Sequence, residues 1–545
     1  MKKIFNTIFL CAIAISAIAV PARRGAISRI AEDGTEKTVY LHGNAYYHYM
    51  TDAKGNWLDE TTLKPLSEEV KAVRMRRGAE HQQARRAREE KKVGSTLNLA
   101  PRGLIILVNF KDKSFKTPID TIKNMIDGEN FTRDYKYSYS YGGQTYTEHI
   151  TCQGSARQYF HDQSWGQYNP IFDVAGPVTL SQNLSYYGKN DSYYNQDMNA
   201  DKMIDEACKL ADSQFDVDFT QYDNNNDGFV DFVYVIYAGY GEADGGPANT
   251  IWPHNSVLIY QGQGIKCIVD GKQVNNYACS NEIQYTGEVY NGIGTFCHEF
   301  SHVLGLPDLY ITEETSTTHK TLGAWDILDY GPYNNDGNTP PSYSAYERFF
   351  CGWITPRILK EPENVTLHPL NESGEALLIC ASDTHNLDGT SPNPTNFYLA
   401  ENRVKQGWDS YLPGRGMLLT HIRYSNSKWT NNTVNNNSNT MGVDLVEADG
   451  KAPSYDYNNP NNGYSGKAKD AFPAGSKQWT ELIDHEITNI TLSNNLIKFL
   501  YIGGWPEGVE EVPSDPVQST KVLRNGQLYI LRNGQTYDLN GKIIE

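Results

Sequence analysis

His298-Glu299-Phe300-Ser301-His302-Val303-Leu304-Gly305-Leu306-Pro307-Asp308 is the stretch on which the reading of this chain turns. The segment from Ile293 to Leu304 reads as a helix. At 3.6 residues per turn, His298 and His302 leave it on one face, with Glu299 beside them. Glycine takes left-handed backbone angles without penalty, so the helix can end at Gly305 and the chain can turn back. Pro307 stiffens that return and Asp308 is brought under the two imidazoles. Two neutral imidazoles and one carboxylate form a donor set for Zn2+ that keeps a coordination position for water. His298, His302 and Asp308 are therefore the expected zinc ligands, with His319, Glu313 and Asp326 in reserve for the third place. Glu299 is placed to take a proton from an ionised water and hand it to a leaving amine, the chemistry of peptide-bond hydrolysis.

Outward from this motif, the chain of 545 residues exceeds what one core supports. Lys2 and Lys3 precede an apolar run from Ile4 to Val20, with small residues at Ala17 and Ala19, which reads as a signal peptide over 1–19. The expected location is secreted or cell-surface, with no transmembrane segment. A formal charge of −17 speaks against a nucleic-acid partner. Beyond Cys11, seven cysteines remain, too few and too uneven for a disulfide framework. Cys267 and Cys279, around a hairpin turning at Asp270-Gly271, are the pair to test first.

Short alternating strands from Ile27 to Lys64 suggest a small β-rich unit. Between Lys71 and Lys92, nine Lys or Arg stand against three Glu with no apolar stripe, the composition of an exposed, nickable joint. Residues 20–99 are thus expected to be a propeptide with its basic linker at 71–92. The continuous apolar run Gly103–Phe110 reads as a buried central strand, Phe229–Tyr237 as another, and Ile204–Leu210 as helix. This predicts an α+β catalytic domain over 100–356, with a mixed sheet and the motif helix. Alternating segments Val365–Leu370, Ala376–Cys380, Gly416–Arg423 and Ile490–Tyr501 predict an all-β sandwich over 357–504. Its Asn-rich stretch Ser425–Asn439 reads as a polar loop, solvated or ion-holding. Residues 505–545 form a linker and a short terminal unit with a hairpin signal at Arg532-Asn533-Gly534.

A second ion is expected at Asp223, Asn225, Asp227, the Phe229 carbonyl and Asp231, where alternate oxygen donors surround Gly228 as in half of an EF-hand loop. Tyr234 stands where the bidentate Glu would be, so Ca2+ would brace the following strand without that ligand. The propeptide has no cysteine, which excludes a thiolate latch. Either steric cover or a carboxylate such as Asp33, Asp52 or Asp59 would keep the site closed.

The motif at 298–308, together with Ala156-Arg157-Gln158-Tyr159-Phe160 through Trp165-Gly166, Phe172–Val178, Ile251-Trp252-Pro253-His254, Gly323–Leu328 and Glu401-Asn402-Arg403, resembles the immune inhibitor A-type metallopeptidases, relatives of the metzincins. The resemblance runs from about residue 27 to 450. It implies a secreted endopeptidase on protein substrates, made as a zymogen; a monomer is expected. In metzincin-like enzymes a methionine turn lies beneath the zinc, and Leu328 stands at that position here. Tyr330 matches a tyrosine that can stabilise the transition state, although an ordinary packed tyrosine fits the position equally well. A surface recognition protein with a degenerate protease domain is the competing reading, and the intact His298, Glu299 and His302 set argues against it.

Overall fold

The computed structural model describes residues 20–44, 47–76, 101–141, 144–191, 197–260, 263–285, 289–312, 318–382, 384–456, 465–504, 520–524, 527–532, 535–537 and 542–544. The N-terminal unit is a four-stranded antiparallel sheet of Ala26–Ile30, Glu36–Asn44, Tyr47–Thr51 and Trp57–Leu58 in sequential order. Residues 68–76 then form a helix, and most of the basic joint lies outside the described residues.

The central run becomes the strand Arg102–Asn109, paired in parallel with Ile171–Thr179 on one side and Val233–Tyr240 on the other. Asn276–Ile283 continues the sheet in parallel, and His254–Val257 closes it antiparallel. The sheet is mixed, as the sequence predicts. Side chains alternate across a strand, so a strand covered on both faces is apolar throughout. Ile105 and Leu107 join Phe296 and Phe300 of the Gly294–Ser301 helix, whereas Leu104, Ile106 and Val108 join Met203, Ile204 and Ala207 of the Ala200–Phe215 helix. The second predicted strand is interrupted, with Phe229–Val230 separate from Val233–Tyr240. Asp231, between them, is turned into the acidic loop.

Beyond residue 356 two sheets enclose one core. The larger orders Arg357–Ile358, Leu377–Ile379, Asn396–Arg403, Gly416–Arg423 and Val443–Leu445; the smaller orders Glu363–Leu367, Leu496–Tyr501 and Ile487–Ser493. Leu377, Ile379 and Leu419 face Val365, Ile497 and Phe499 across it. The opposite face of the larger sheet, with Phe397, Leu399 and Ile422, packs into the same core as the motif helix. A buried fork ties the two parts together. Arg403 Nη2 and Nε donate to Asp409 at 2.6 and 2.9 Å, and Arg403 Nη2 also donates to the Ser342 carbonyl at 3.0 Å. The Glu401-Asn402-Arg403 signature is therefore structural.

At the end of the chain, Thr520–Arg524, Gln527–Arg532 and Gln535–Tyr537 form a small antiparallel sheet. The predicted turn residues Asn533 and Gly534 lie outside the described residues. Among the described residues, no helix is long and apolar enough to cross a membrane. The predicted hairpin at Asp270-Gly271 is present, with φ of 50° and 74° at its two corner residues. Its cysteines are not partners: Cys267 lies against Cys208, and Cys279 Sγ is 3.6 Å from His254 Nδ1. All seven described cysteines are buried free thiols.

Candidate active site

The motif helix runs as α-helix over Gly294–Ser301 and tightens to a 3-10 turn at His302–Leu304. Gly305 then takes φ = 86°, the left-handed angle that the reversal requires. His298, Glu299, His302 and Asp308 are all fully buried. His298 Nδ1 donates to the Ile327 carbonyl at 2.8 Å and His302 Nδ1 to the Leu306 carbonyl at 2.7 Å. These bonds fix each ring and leave both Nε2 atoms turned towards Asp308. The Nε2 atoms lie 3.3 and 3.6 Å from Asp308 Oδ1. The three ligand atoms fall within 4.8 Å of one another, a spacing that a tetrahedral zinc fits.

Burial alone would lower the His298 pKa, but the Asp308 and Glu299 carboxylates beside it leave it raised. Burial raises Asp308, with His298 opposing. This closely packed, buried mixture of two imidazoles and two carboxylates is a set that could hold a cation.

Among the reserve ligands, Asp326 is committed elsewhere: its Oδ1 accepts from the Leu328 amide at 2.7 Å and shapes the turn behind His298. Glu313 lies outside the described residues, and only the backbone of His319 is described. Leu328 is wholly buried in that turn, and its carbonyl accepts from the Leu309 amide at 2.8 Å.

One residue escaped the sequence reading. Asn432, in the Asn-rich stretch of the β module, donates through Nδ2 to Asp308 Oδ2 at 2.7 Å and accepts the Asp308 amide on Oδ1 at 2.8 Å. Asn435 and Asn436 fasten the same loop, to the Leu309 carbonyl at 2.7 Å and the Thr312 amide at 2.8 Å. Here Asn432 and Asn435 are buried and bonded to protein atoms rather than solvated.

The N-terminal unit lies over the site, but not through a carboxylate. Asp33, Asp52 and Asp59 accept from nearby backbone amides of their own turns. Instead the backbone of residues 20–24 crosses the site: the Val20 amide donates to Glu299 Oε1 at 3.0 Å, and Trp252 Nε1 donates to the Val20 carbonyl at 3.2 Å. Tyr333 and Tyr330 donate their hydroxyls to the Pro21 and Arg24 carbonyls at 2.6 and 3.2 Å. Tyr330 thus meets the segment four residues beyond Val20, the residue that engages Glu299. Farther out, His48 Nε2 pairs with Glu242 at 3.3 Å, both nearly buried, and clamps the unit to the sheet domain.

In the acidic loop, Asp223 accepts the Asp227 and Gly228 amides, each at 3.0 Å, and Asn225 also accepts the Asp227 amide at 3.0 Å. Lys272 Nζ sits 2.6 Å from Asp223 Oδ2 and supplies positive charge there. Asp231 Oδ2 accepts from Asn224 Nδ2 at 2.7 Å.

Residues 92–353 match the family model described as immune inhibitor A peptidase M6, catalytic domain. This segment is similar to immune inhibitor A-type peptidase domains. Similar proteins include the pre-pro-metalloprotease PrtV of Vibrio cholerae serotype O1 (strain M66-2), 27% identical over 283 residues, 46% of this chain and 30% of that protein. Immune inhibitor A of Bacillus thuringiensis subsp. alesti is 28% identical over 276 residues, 45% of this chain and 39% of that protein. The chain thus spans about a third of the length of the curated relatives it matches. The matched M6 segment contains the motif helix, Gly305, Asp308 and Tyr330, and ends before Asn432.

Proposed function

We propose that this chain is a secreted zinc endopeptidase of metzincin-like design, acting as a monomer on protein substrates and made as a zymogen. The observation that carries the proposal is the convergence of His298 Nε2, His302 Nε2 and Asp308 Oδ1 in one buried cluster, with the Glu299 carboxylate in the same cleft. Zinc held there supplies the Lewis acidity that brings the ionisation of water towards neutral pH. Glu299 takes the proton and returns it to the departing amine. The Tyr330 hydroxyl, held by the Arg24 carbonyl in this structure, would swing to the reacting carbonyl oxygen once residues 20–24 leave and donate to it as negative charge builds there.

Latency would follow from the segment 20–24, whose Val20 amide bonds Glu299 and which would stand in the way of a substrate peptide. Removal of a leader after Ala19 and a cut between Lys71 and Lys92 would complete maturation. Calcium at the 223–231 loop belongs to the same proposal: the cation would displace Lys272 from Asp223, and added Ca2+ should raise the melting temperature of the parent while zinc occupancy stays constant.

The deciding experiment is hydrolysis of denatured casein by the processed enzyme. Activity should vanish on chelation, return with zinc, and fall by about 10²-fold or more in Glu299→Gln, which retains the metal. An unchanged rate in Glu299→Gln ends the assignment.

A further inference from the structure

A general base that hands its proton to the leaving amine must lie beside the nitrogen of the first residue after the cleaved bond. Val20 nitrogen holds that position, 3.0 Å from Glu299 Oε1. Residues 20–24 therefore run away from the site as the C-terminal product of a cleavage would, with Val20 first, Arg23 fourth and Arg24 fifth. The backbone contacts along this path serve any sequence: Trp252 to the Val20 carbonyl, Tyr333 to the Pro21 carbonyl, and the Arg23 amide to the Ala243 carbonyl at 2.8 Å.

The side chains are held differently. Arg23 Nη2 donates to Asp336 Oδ1 at 2.6 Å, while Tyr137 secures Asp336 Oδ2 through its hydroxyl at 2.7 Å. Arg24 Nη2 stands 3.5 Å from Asp329 Oδ1, while the Leu322 amide secures Asp329 Oδ2 at 2.7 Å. The Arg24 guanidinium also lies 4.7 Å over the Tyr330 ring. Each acid is thus anchored to the peptidase domain by one oxygen and offers the other to a cation. When residues 20–24 leave, both acids remain in place, and the wholly buried Asp329 side chain loses its counter-charge.

Resting on the peptidase reading above, we infer that Asp336 and Asp329 are specificity determinants that select peptides with basic side chains at the fourth and fifth positions after the cleaved bond. Position one takes an apolar residue the size of Val20, which is buried.

The test uses the secreted chain, processed until it hydrolyses casein, and three peptides identical except at those two positions, which carry Arg-Arg, Gln-Gln or Glu-Glu. The expected kcat/KM is about tenfold higher for Arg-Arg than for Gln-Gln, and lowest for Glu-Glu. Asp336→Asn should shrink the Arg-Arg to Gln-Gln ratio to about threefold or less. The ratio is taken within one preparation, so the fraction of folded enzyme cancels. Equal rates on all three peptides, with casein still cut, overturn the inference and leave the peptidase reading intact. A full Arg-Arg preference in Asp336→Asn overturns the role given to Asp336. A chain that no processing brings to cut casein overturns the peptidase reading and the inference with it.

Discussion

Replacing Asn432 with alanine removes two hydrogen bonds from the proposed third ligand at once. One is charge-assisted, Nδ2 to Asp308 Oδ2 at 2.7 Å, and contributes about 1.5–3 kcal/mol. The other satisfies the Asp308 amide at 2.8 Å, and leaving a buried donor unpaired costs about 1–3 kcal/mol. The loop itself stays docked, because Asn435 still binds the Leu309 and Val443 carbonyls at 2.7 and 2.8 Å. The loss therefore falls on the orientation of Asp308. Groups that orient a metal ligand typically account for 10–100-fold in affinity, about 1.4–2.7 kcal/mol. Competition titration against a chelator of known zinc affinity should show Asn432→Ala weakened within that range. Asn432→Asp should be weaker still, since it sets a carboxylate against Asp308. A variant Asn432→Ala that holds zinc within twofold of the parent refutes the bracing role.

Three further outcomes are expected. Leu328→Met preserves apolar volume in the buried turn behind His298, so unfolding free energy should change by less than about 1.5 kcal/mol in denaturant titration, with casein hydrolysis retained; a larger change means the turn reads shape more strictly. Tyr330→Phe should lower kcat by about 10²-fold with little effect on KM in steady-state assays; an unchanged kcat would leave the hydroxyl only its contact with the Arg24 carbonyl. Burial opposes protonation of His48, but Glu242 beside it prevails and pushes the pKa up to about 9, above the ordinary value of 6.5. The clamp is therefore fully present below pH 6.5 and is lost as pH rises through 9. Dissociation of the nicked propeptide, followed by size exclusion, should accelerate across that interval, and His48→Gln should abolish the dependence.

What the sequence made legible was local. His298, Glu299 and His302 share a helical face because they are one turn apart, and Gly305 announces the reversal to Asp308 because its backbone angle suits glycine. The central strand could be read because burial on both faces leaves an unbroken apolar run. The remainder depends on long-range pairing. Asn432 meets Asp308 across 124 residues, and Val20 meets Glu299 across 279, distances over which no period or spacing rule operates. Asparagine in a polar run reads as loop chemistry until a buried acid is found next to it. The break at Asp231 was hidden for a related reason, since an apolar run shows composition without showing where the ladder changes partner.

The shared core across residue 356 bears on any attempt to cut the protein down. A fragment ending at Trp353, where the family match stops, would strip Phe397, Leu399 and Ile422 from their packing against the peptidase helices and leave a broad oily flank facing solvent. Such a product should aggregate on expression. The smallest piece worth crystallising or engineering therefore runs on through Gly504, well past the border that sequence matching draws.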